Sequence, residues 1–152
     1  VESALMAAKE RISDGSAYGR LKEMITAQGG NPYVLEDYSL LKQHNHEFEV
    51  RSKTDGYIAS IEAMQVGTIS MNLGAGRSKK TDPIDYSAGI SLMKKPGDAV
   101  LNGEVIAVLK SDKPDLGDYG EQFLKASSFT EEEPRIPKLI LGRVSAKGRE
   151  KY

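Results

Sequence analysis

The chain has 152 residues, with 21 basic and 22 acidic side chains, a formal net charge of -1 and no cysteine. This charge balance gives no reason to expect nucleic acid or an anionic membrane as a partner, and the lack of thiols excludes disulfides, thiolate metal sites and cysteine nucleophiles. No apolar run approaches the roughly 20 residues that a membrane-spanning helix needs. We therefore expect a cytoplasmic protein.

The first forty residues predict two short amphipathic helices. Val1, Leu5 and Ile12 lie on one helical face, and the first helix is expected to end near Ser13, with Gly15 as its left-handed stop. Because this pattern is already in phase at the first residue, we expect the sequence to be a fragment of a longer protein.

The second helix is expected to begin with Ser16 as its N-cap and to end at Gly29 and Gly30, before Pro32. Two short helices of this kind cannot bury their apolar faces against each other alone. They must pack either on the residues that follow or on a protein body that lies outside this sequence, and we expect the latter.

A polar connector follows, and it contains the two histidines of the chain, His44 and His46, next to Glu47. Imidazoles two positions apart on a strand point to the same side, which suits a metal ion. No third ligand accompanies them, however, and Phe48 and Val50 continue the alternation of a half-buried strand. The sequence therefore favours a strand here and predicts no metal site.

Short strands separated by tight turns dominate the middle of the chain. Pairs such as Pro96-Gly97 and Asn102-Gly103 are typical of such turns. The predicted strands cover residues 57–62, 89–93, 99–101 and 104–109. Strands this short and closely spaced favour a small closed or sandwiched sheet over a parallel one.

The segment between Glu62 and Gly74 carries two competing patterns. Alternation near its end favours a strand, but the apolar residues Val66, Ile69 and Leu73 follow helical spacing. We therefore predict a short helix packed across the sheet.

The last forty residues are expected to contain four features, in chain order. These are an exposed turn at 111–115, a helix centred on Phe123 and Leu124, a last strand over 136–141, and a frayed basic end over 147–152.

The strongest candidate site is the basic loop, defined here as residues 74–80. Its site residues are Gly74, Gly76, Arg77, Lys79 and Lys80. Glycine amides and cationic side chains together can bind a phosphate group. The loop follows a helix, however, and the carboxyl end of a helix carries partial negative charge, which repels an anion. A purely structural role, with Gly74 ending the helix and the cations near its last carbonyls, explains the same residues.

A second string is similar to the acceptor motif of biotinyl carrier domains. Residues 61–65 read Ile-Glu-Ala-Met-Gln, and residues 95–104 resemble a turn that biotinyl and lipoyl domains share. Gln65 stands at the acceptor position, and an amide cannot carry the modification. The likeness predicts a barrel-sandwich hybrid fold and leaves a stand-alone binding or carrier module as the alternative function.

A set of motifs along nearly the whole chain resembles the C-terminal part of the pyrimidine nucleoside phosphorylase and thymidine phosphorylase family. The motifs are Ala27-Gln28-Gly29-Gly30, Asp55-Gly56-Tyr57-Ile58, Leu73-Gly74-Ala75-Gly76-Arg77, Ile84-Asp85, Gly89-Ile90 and Lys94-Lys95-Pro96-Gly97-Asp98-Ala99-Val100.

The resemblance implies an α+β fold preceded by a helical pair left over from an α/β domain. Residues 1–40 would be the last helices of that domain with a connector, and residues 41–152 would be the C-terminal domain. The sheet would be small, antiparallel or mixed, and of the barrel-sandwich hybrid type, with helices packed on it.

The resemblance also implies an activity for the parent enzyme. Family members are homodimers that cleave pyrimidine nucleosides with inorganic phosphate as co-substrate, giving the base and (deoxy)ribose 1-phosphate, and we expect no other cofactor. Their substrate-binding and catalytic residues lie in upstream α and α/β domains, so no catalytic residue is named in this chain and the isolated chain is expected to be inactive. In the family, the counterpart of the basic loop faces the substrate cleft and becomes better ordered when the cleft closes.

Overall fold

The structure, a computed structural model, describes residues 2–77, 79–146 and 148–151. The chain divides into two compact units, Val1–Gln43 and His44–Tyr152. They are described separately below as the first and the second unit.

The regular elements among the described residues of the first unit are all helices. Its elements are α1 (Glu2–Ser13), α2 (Ser16–Ala27) and two short 3₁₀ helices, Pro32–Leu35 and Tyr38–Leu40. Both predicted helices are confirmed, and Gly15 between them adopts a left-handed conformation with φ of 77°. The expected start at Val1 lies outside the described residues.

The predicted N-cap of α2 is wrong. Gly15 occupies the cap position, and Ser16 is already the first helical residue. The side chain that accepts a hydrogen bond at this end is Asp14, whose Oδ1 lies 2.8 Å from the Ser16 amide nitrogen. The left-handed turn at Gly15 thus leaves Asp14 within hydrogen-bond distance of the first amide of α2.

The amphipathic faces of the first unit stay accessible. Of the described residues of α1 and α2, none is buried, and Leu5 and Ile12 are 54% and 74% exposed. The apolar periodicity therefore correctly predicts the helices, whereas the surface that would cover them remains a prediction.

The second unit is an α+β fold, as predicted. Its elements are β1 (His46–Arg51), β2 (Gly56–Ile61), α3 (Ala63–Ser70), a π-helical turn (Met71–Ala75), β3 (Gly89–Leu92), β4 (Ala99–Val100), β5 (Val105–Ser111), α4 (Gly117–Lys125), β6 (Ser127–Thr130), β7 (Gly142–Ser145) and β8 (Gly148–Lys151). The strands form three small sheets, with orders β1-β5-β3, β4-β2-β6 and β7-β8. Every pairing is antiparallel.

The predicted tight turns are present, but they connect different sheets. Strand β3 pairs with β5, whereas β4 pairs with β2. The turns around Gly97 and Gly103 therefore carry the chain from one sheet to the other and back, and neither closes a hairpin.

One core holds the second unit together. Ile58 from β2, Leu109 from β5 and Phe123 from α4 are all 0% exposed. The predicted helix contributes Ile69 and Leu73, which are 3% and 1% exposed, so the choice of helical over strand periodicity is confirmed. Helix α4 packs against α3 and β1, and Phe123 and Leu124 lie in its last turn.

The tail differs from its prediction. No regular element covers residues 136–141, and the strand of this region is β7, which pairs with β8. Pro134 and Pro137 interrupt the amide donors that a strand there would need. Residues 148–151 are paired and not frayed, while Lys147 and Tyr152 lie outside the described residues.

Strand β6 was not predicted. It has four residues and adds to the edge of β2, where the hydroxyls of Ser60 and Ser128 lie 2.7 Å apart. A short serine-rich segment has no hydrophobic alternation, so only its pairing with β2 defines it. Within the described residues, no helix is long and apolar enough to cross a bilayer.

Candidate functional site

The basic loop begins where helix α3 ends. The helix widens into the π-helical turn over its last residues, and Gly74 leaves the helical conformation with φ of 121° and ψ of -9°. An added Cβ there would lie 3.2 Å from the Asp85 Cβ and 3.5 Å from the Ala88 Cβ. Gly74 is therefore required both by its backbone conformation and by the close approach of the 85–88 segment.

The last carbonyls of this helix are satisfied by groups distant in sequence. Ser111 Oγ donates to Leu73 O at 2.5 Å, and Lys113 Nζ donates to Asn72 O at 2.6 Å. The Asp85 amide donates to Gly74 O at 2.8 Å. The cation at the negative end of the helix is therefore Lys113, and it satisfies a carbonyl there directly.

The prediction of an exposed turn at 111–115 is wrong for its first residue. Ser111 is the last residue of β5 and is 0% exposed. Its hydroxyl also accepts a hydrogen bond from the Lys113 amide at 3.1 Å. Nothing in the local sequence marks this serine, because its role depends on a helix end 38 positions away.

The segment that carries the basic loop is closed at both its base and its tip. The bond from the Asp85 amide to Gly74 O joins its two ends. Near the tip, the Lys79 amide donates to Asp82 Oδ2 at 2.7 Å and the Asp82 amide donates to Lys79 O at 3.0 Å. The backbone therefore follows a defined path on both sides of Ser78, which lies outside the described residues.

The cationic side chains of the basic loop point to solvent. Arg77, Lys79 and Lys80 are all exposed. Among the residues that the structure describes, no carboxylate forms an ion pair with any of them. Their charges are therefore available to an anionic group, while the helix end behind them is occupied by Lys113.

Gly76, the remaining predicted site residue, is extended, with φ of -141° and ψ of -178°. An added Cβ would lie 2.9 Å from Met71 Cγ and 3.3 Å from Met71 Cα. Gly76 thus lets the chain pass directly over the helical turn that it has just left.

A groove of about 250 Å³ lies between α3 and α4, with Met64, Gln65, Ile69 and Lys125 among the residues that line it. Gln65 belongs to the first turns of helix α3. The carrier-like string thus spans the end of β2 and the start of a helix.

The two histidines do not form a metal centre with their neighbours. His44 Nε2 lies 2.6 Å from Glu47 Oε1, and Lys110 Nζ lies 3.4 Å from the same oxygen. The hydrogen bond from His44, followed by that from Lys110, lowers the pKa of Glu47. Across residues 2–77, 79–146 and 148–151, no group of three potential metal ligands is found.

Comparison with known proteins identifies relatives of the second unit. Residues 57–129 match the family described as the pyrimidine nucleoside phosphorylase C-terminal domain. The match includes the whole basic loop and the turn at Ser111. It stops before the β7-β8 hairpin.

Curated relatives extend the match over most of the chain. The chain is 35% identical over 145 residues to the pyrimidine-nucleoside phosphorylase of Geobacillus stearothermophilus, covering 95% of this chain and 34% of that protein. It is 38% identical over 109 residues to that of Staphylococcus aureus (strain USA300), covering 72% and 25%. It is 36% identical over 118 residues to that of Staphylococcus haemolyticus (strain JCSC1435), covering 78% and 27%. The chain thus spans about a quarter to a third of the length of these relatives.

Proposed function

Since the chain belongs to the pyrimidine nucleoside phosphorylase family and contains its C-terminal domain, we propose that it serves as the cleft-bordering domain of such an enzyme. The parent enzyme would cleave uridine- or thymidine-type nucleosides with inorganic phosphate, giving the base and (deoxy)ribose 1-phosphate. The observation that carries this proposal is the match over 95% of the chain to a phosphorylase of which it spans only 34%.

The partial coverage also supports an assignment of each part of the chain to a domain of the parent enzyme. Residues 1–40 would complete an upstream α/β domain, residues 41–152 would form the C-terminal domain, and nucleoside and phosphate would bind to the upstream α and α/β domains. The exposed apolar faces of α1 and α2 support this proposal, since the rest of an α/β domain would cover them. The parent enzyme would be a cytoplasmic homodimer that uses no cofactor beyond phosphate.

The two sheets β1-β5-β3 and β4-β2-β6 would form the barrel-sandwich hybrid of this domain. Their sizes and the crossings between them support this assignment. An experimental structure in which the two sheets do not face each other across the core would contradict it.

The basic loop would border the substrate cleft. Its charges are exposed and lack acidic partners among the described residues, so they would attract phosphate or the sugar phosphate product from solution. The helix end does not oppose this role, because Lys113 already satisfies the carbonyl of Asn72 there.

The test is Arg77→Ala in the phosphorylase that contains this chain. We expect kcat/KM for phosphorolysis to fall about two- to fivefold, as for an exposed charge near a cleft. The effect should shrink at high ionic strength because salt screens such charges. Arg143→Ala, which removes an arginine on β7 that is also exposed, is the matched control and should leave the kinetics unchanged. Unchanged kinetics for Arg77→Ala, with only a lower thermal stability, would leave the loop a structural role alone.

A second experiment tests the location of the active site. The purified 152-residue chain should release no base from uridine or thymidine in the presence of phosphate. Turnover above background would show that the chain itself holds a catalytic site.

A further inference from the structure

The turn that follows β5 contacts two separate parts of the second unit. We count Ser111, the last residue of the strand, together with Asp112 and Lys113. Two of them bond to the helix end that precedes the basic loop, and the third bonds to Asn45 at the start of the unit.

Ser111 holds the helix end from inside the core. Its hydroxyl is buried, donates to Leu73 O at 2.5 Å and accepts from the Lys113 amide at 3.1 Å. A hydroxyl can do both at once, whereas an apolar side chain of similar size would leave the Leu73 carbonyl buried without a partner.

Lys113 holds the same helix end from outside. Its Nζ donates to Asn72 O at 2.6 Å and lies 5.7 Å from the centre of the Tyr119 ring in α4. The ring limits where the long side chain can go, and a cation suits the negative end of the helix. Two adjacent carbonyls just before Gly74 are thus fixed by one turn.

Asp112 connects this turn to the beginning of the unit. Its Oδ1 accepts from the Asn45 amide at 3.1 Å and from Asn45 Nδ2 at 2.9 Å. Asn45 lies two residues after Gln43, where the first unit ends. A displacement of the chain at Asn45 would therefore act directly on the turn that fixes the helix end.

We propose that Ser111, Asp112 and Lys113 form a positioning turn, which sets the basic loop in place and links it to the junction at Asn45. We assign this turn a positioning role and not a catalytic one, since the bonds described above join it to the helix end, to Asn45 and to the Tyr119 ring. Any effect of this turn on catalysis rests on the proposed function of the basic loop. Its effect on the position of the loop is independent of that proposal.

Limited trypsin digestion of the full 152-residue chain measures that effect, because the basic loop carries cleavage sites after Arg77, Lys79 and Lys80. Loop cleavage is quantified by mass spectrometry relative to cleavage after Lys138, an exposed site outside the loop. When opening is fast, cleavage follows the population of the open loop. Lys113→Met should therefore increase the relative cleavage about tenfold, the equivalent of one charged hydrogen bond.

Two variants separate positioning from general destabilisation. Lys113→Arg keeps a cationic donor and should restore slow cleavage. Lys110→Met removes a lysine of β5 that pairs with Glu47, and this variant should be cleaved at the same relative rate as the original chain. Asn45→Ala should accelerate loop cleavage about two- to threefold, because it removes the exposed bond from Nδ2 to the Asp112 carboxylate and keeps the bond from the backbone amide.

Two results would contradict the proposed positioning role or its link to Asn45. Loop cleavage at the original rate in a natively folded Lys113→Met variant would overturn the positioning role. An effect of Lys113→Met with none for Asn45→Ala would overturn the link to the junction. Since no substrate is involved, either failure is distinguishable from failure of the kinetic test on Arg77.

Discussion

The two units of the chain differ in where their apolar side chains lie. In the first unit, none of the described residues of α1 and α2 is buried, and most of their large apolar side chains are exposed. In the second unit, residues of β2, β5, α3 and α4 enclose a core in which Ile58, Ile106 and Phe123 are 0% exposed. Amphipathic periodicity is present in both, so periodicity alone does not show that a segment has a core of its own.

This difference suggests which unit is self-sufficient. Short helices gain most of their stability from packing of an apolar face. The second unit contains that packing, whereas none of the described residues of α1 and α2 is buried.

The largest expected effect comes from separating the units. Residues 44–152 alone should unfold cooperatively in urea, while residues 1–43 alone should show weak helicity and no cooperative transition, because isolated helices shorter than about 12–15 residues are marginal in water. Circular dichroism during denaturation checks both. A cooperative transition for residues 1–43 would break the comparison.

Replacing a core side chain should produce the next largest effect. Phe123→Ala removes a fully buried ring and should lower the free energy of unfolding by about 3–5 kcal/mol. Met6→Ala in α1, where the side chain is 72% exposed, is the control and should change it by no more than about 0.5 kcal/mol. Urea denaturation measures the free energy of unfolding of both variants. Equal decreases for the two would mean that the Met6 side chain is packed as well as that of Phe123.

Substitution of one glycine with positive φ in each unit should give smaller losses of stability that also differ between the units. Gly74→Ala adds a methyl group 3.2 Å from the Asp85 Cβ at φ of 121°, and should cost about 1–3 kcal/mol. Gly15→Ala meets nothing within 4 Å at φ of 77°, so only the backbone term of about 1 kcal/mol applies. Thermal unfolding of both variants checks the order, which the less accessible φ and the closer packing at Gly74 should both set.

The pH dependence of stability should show the smallest effects, of opposite direction for a carboxylate of the second unit and a lysine of the first. Lys94 Nζ lies 2.7 Å from Glu104 Oε1, and the hydrogen bonds from Lys94 and from the Leu101 amide lower the pKa of Glu104. The folded state then binds this proton more weakly than the unfolded state. The resulting stabilisation is present above the unfolded pKa of about 4.3 and is lost as the pH falls through the lower folded value.

In the first unit, the hydrogen bond with Glu36 raises the pKa of Lys22. Its stabilisation is complete below the unfolded pKa of about 10.4 and is lost as the pH rises through the higher folded value. Urea midpoints of the whole chain at acid and alkaline pH check both directions. Glu104→Gln should reduce the change of the urea midpoint with pH only on the acid side, and Lys22→Met only on the alkaline side. If each variant instead altered the other side, these ion pairs would not be the cause.

Much of the fold was predictable because its signals are local. The helical spacing of Val66, Ile69 and Leu73 correctly outweighed a short strand-like alternation, since two of the three are buried in the core. Turn pairs such as Pro96-Gly97 also marked the ends of β3 and β4. Strand β6 and the β7-β8 hairpin escaped prediction because pairing, not hydrophobic pattern, defines them.

The candidate site was predicted only in part. The sequence identified the basic loop, its position after a helix and the break at Gly74. It assigned the cations near the helix end to the loop itself, whereas the structure places Lys113 there. It also took Ser111 as exposed, although the end of β5 buries that hydroxyl against Leu73.

The sequence by itself determined the helices of the first unit, the antiparallel α+β class of the second and the family resemblance, because periodicity, turn residues and motif order are properties of neighbouring residues. Only the tertiary structure decided which strands pair, that one unit has a core while the other exposes its apolar faces, and that a serine and a lysine from β5 and its turn complete a distant helix end. Those outcomes depend on which surfaces meet in space, and a hydrogen bond or a buried side chain belongs to both partners at once.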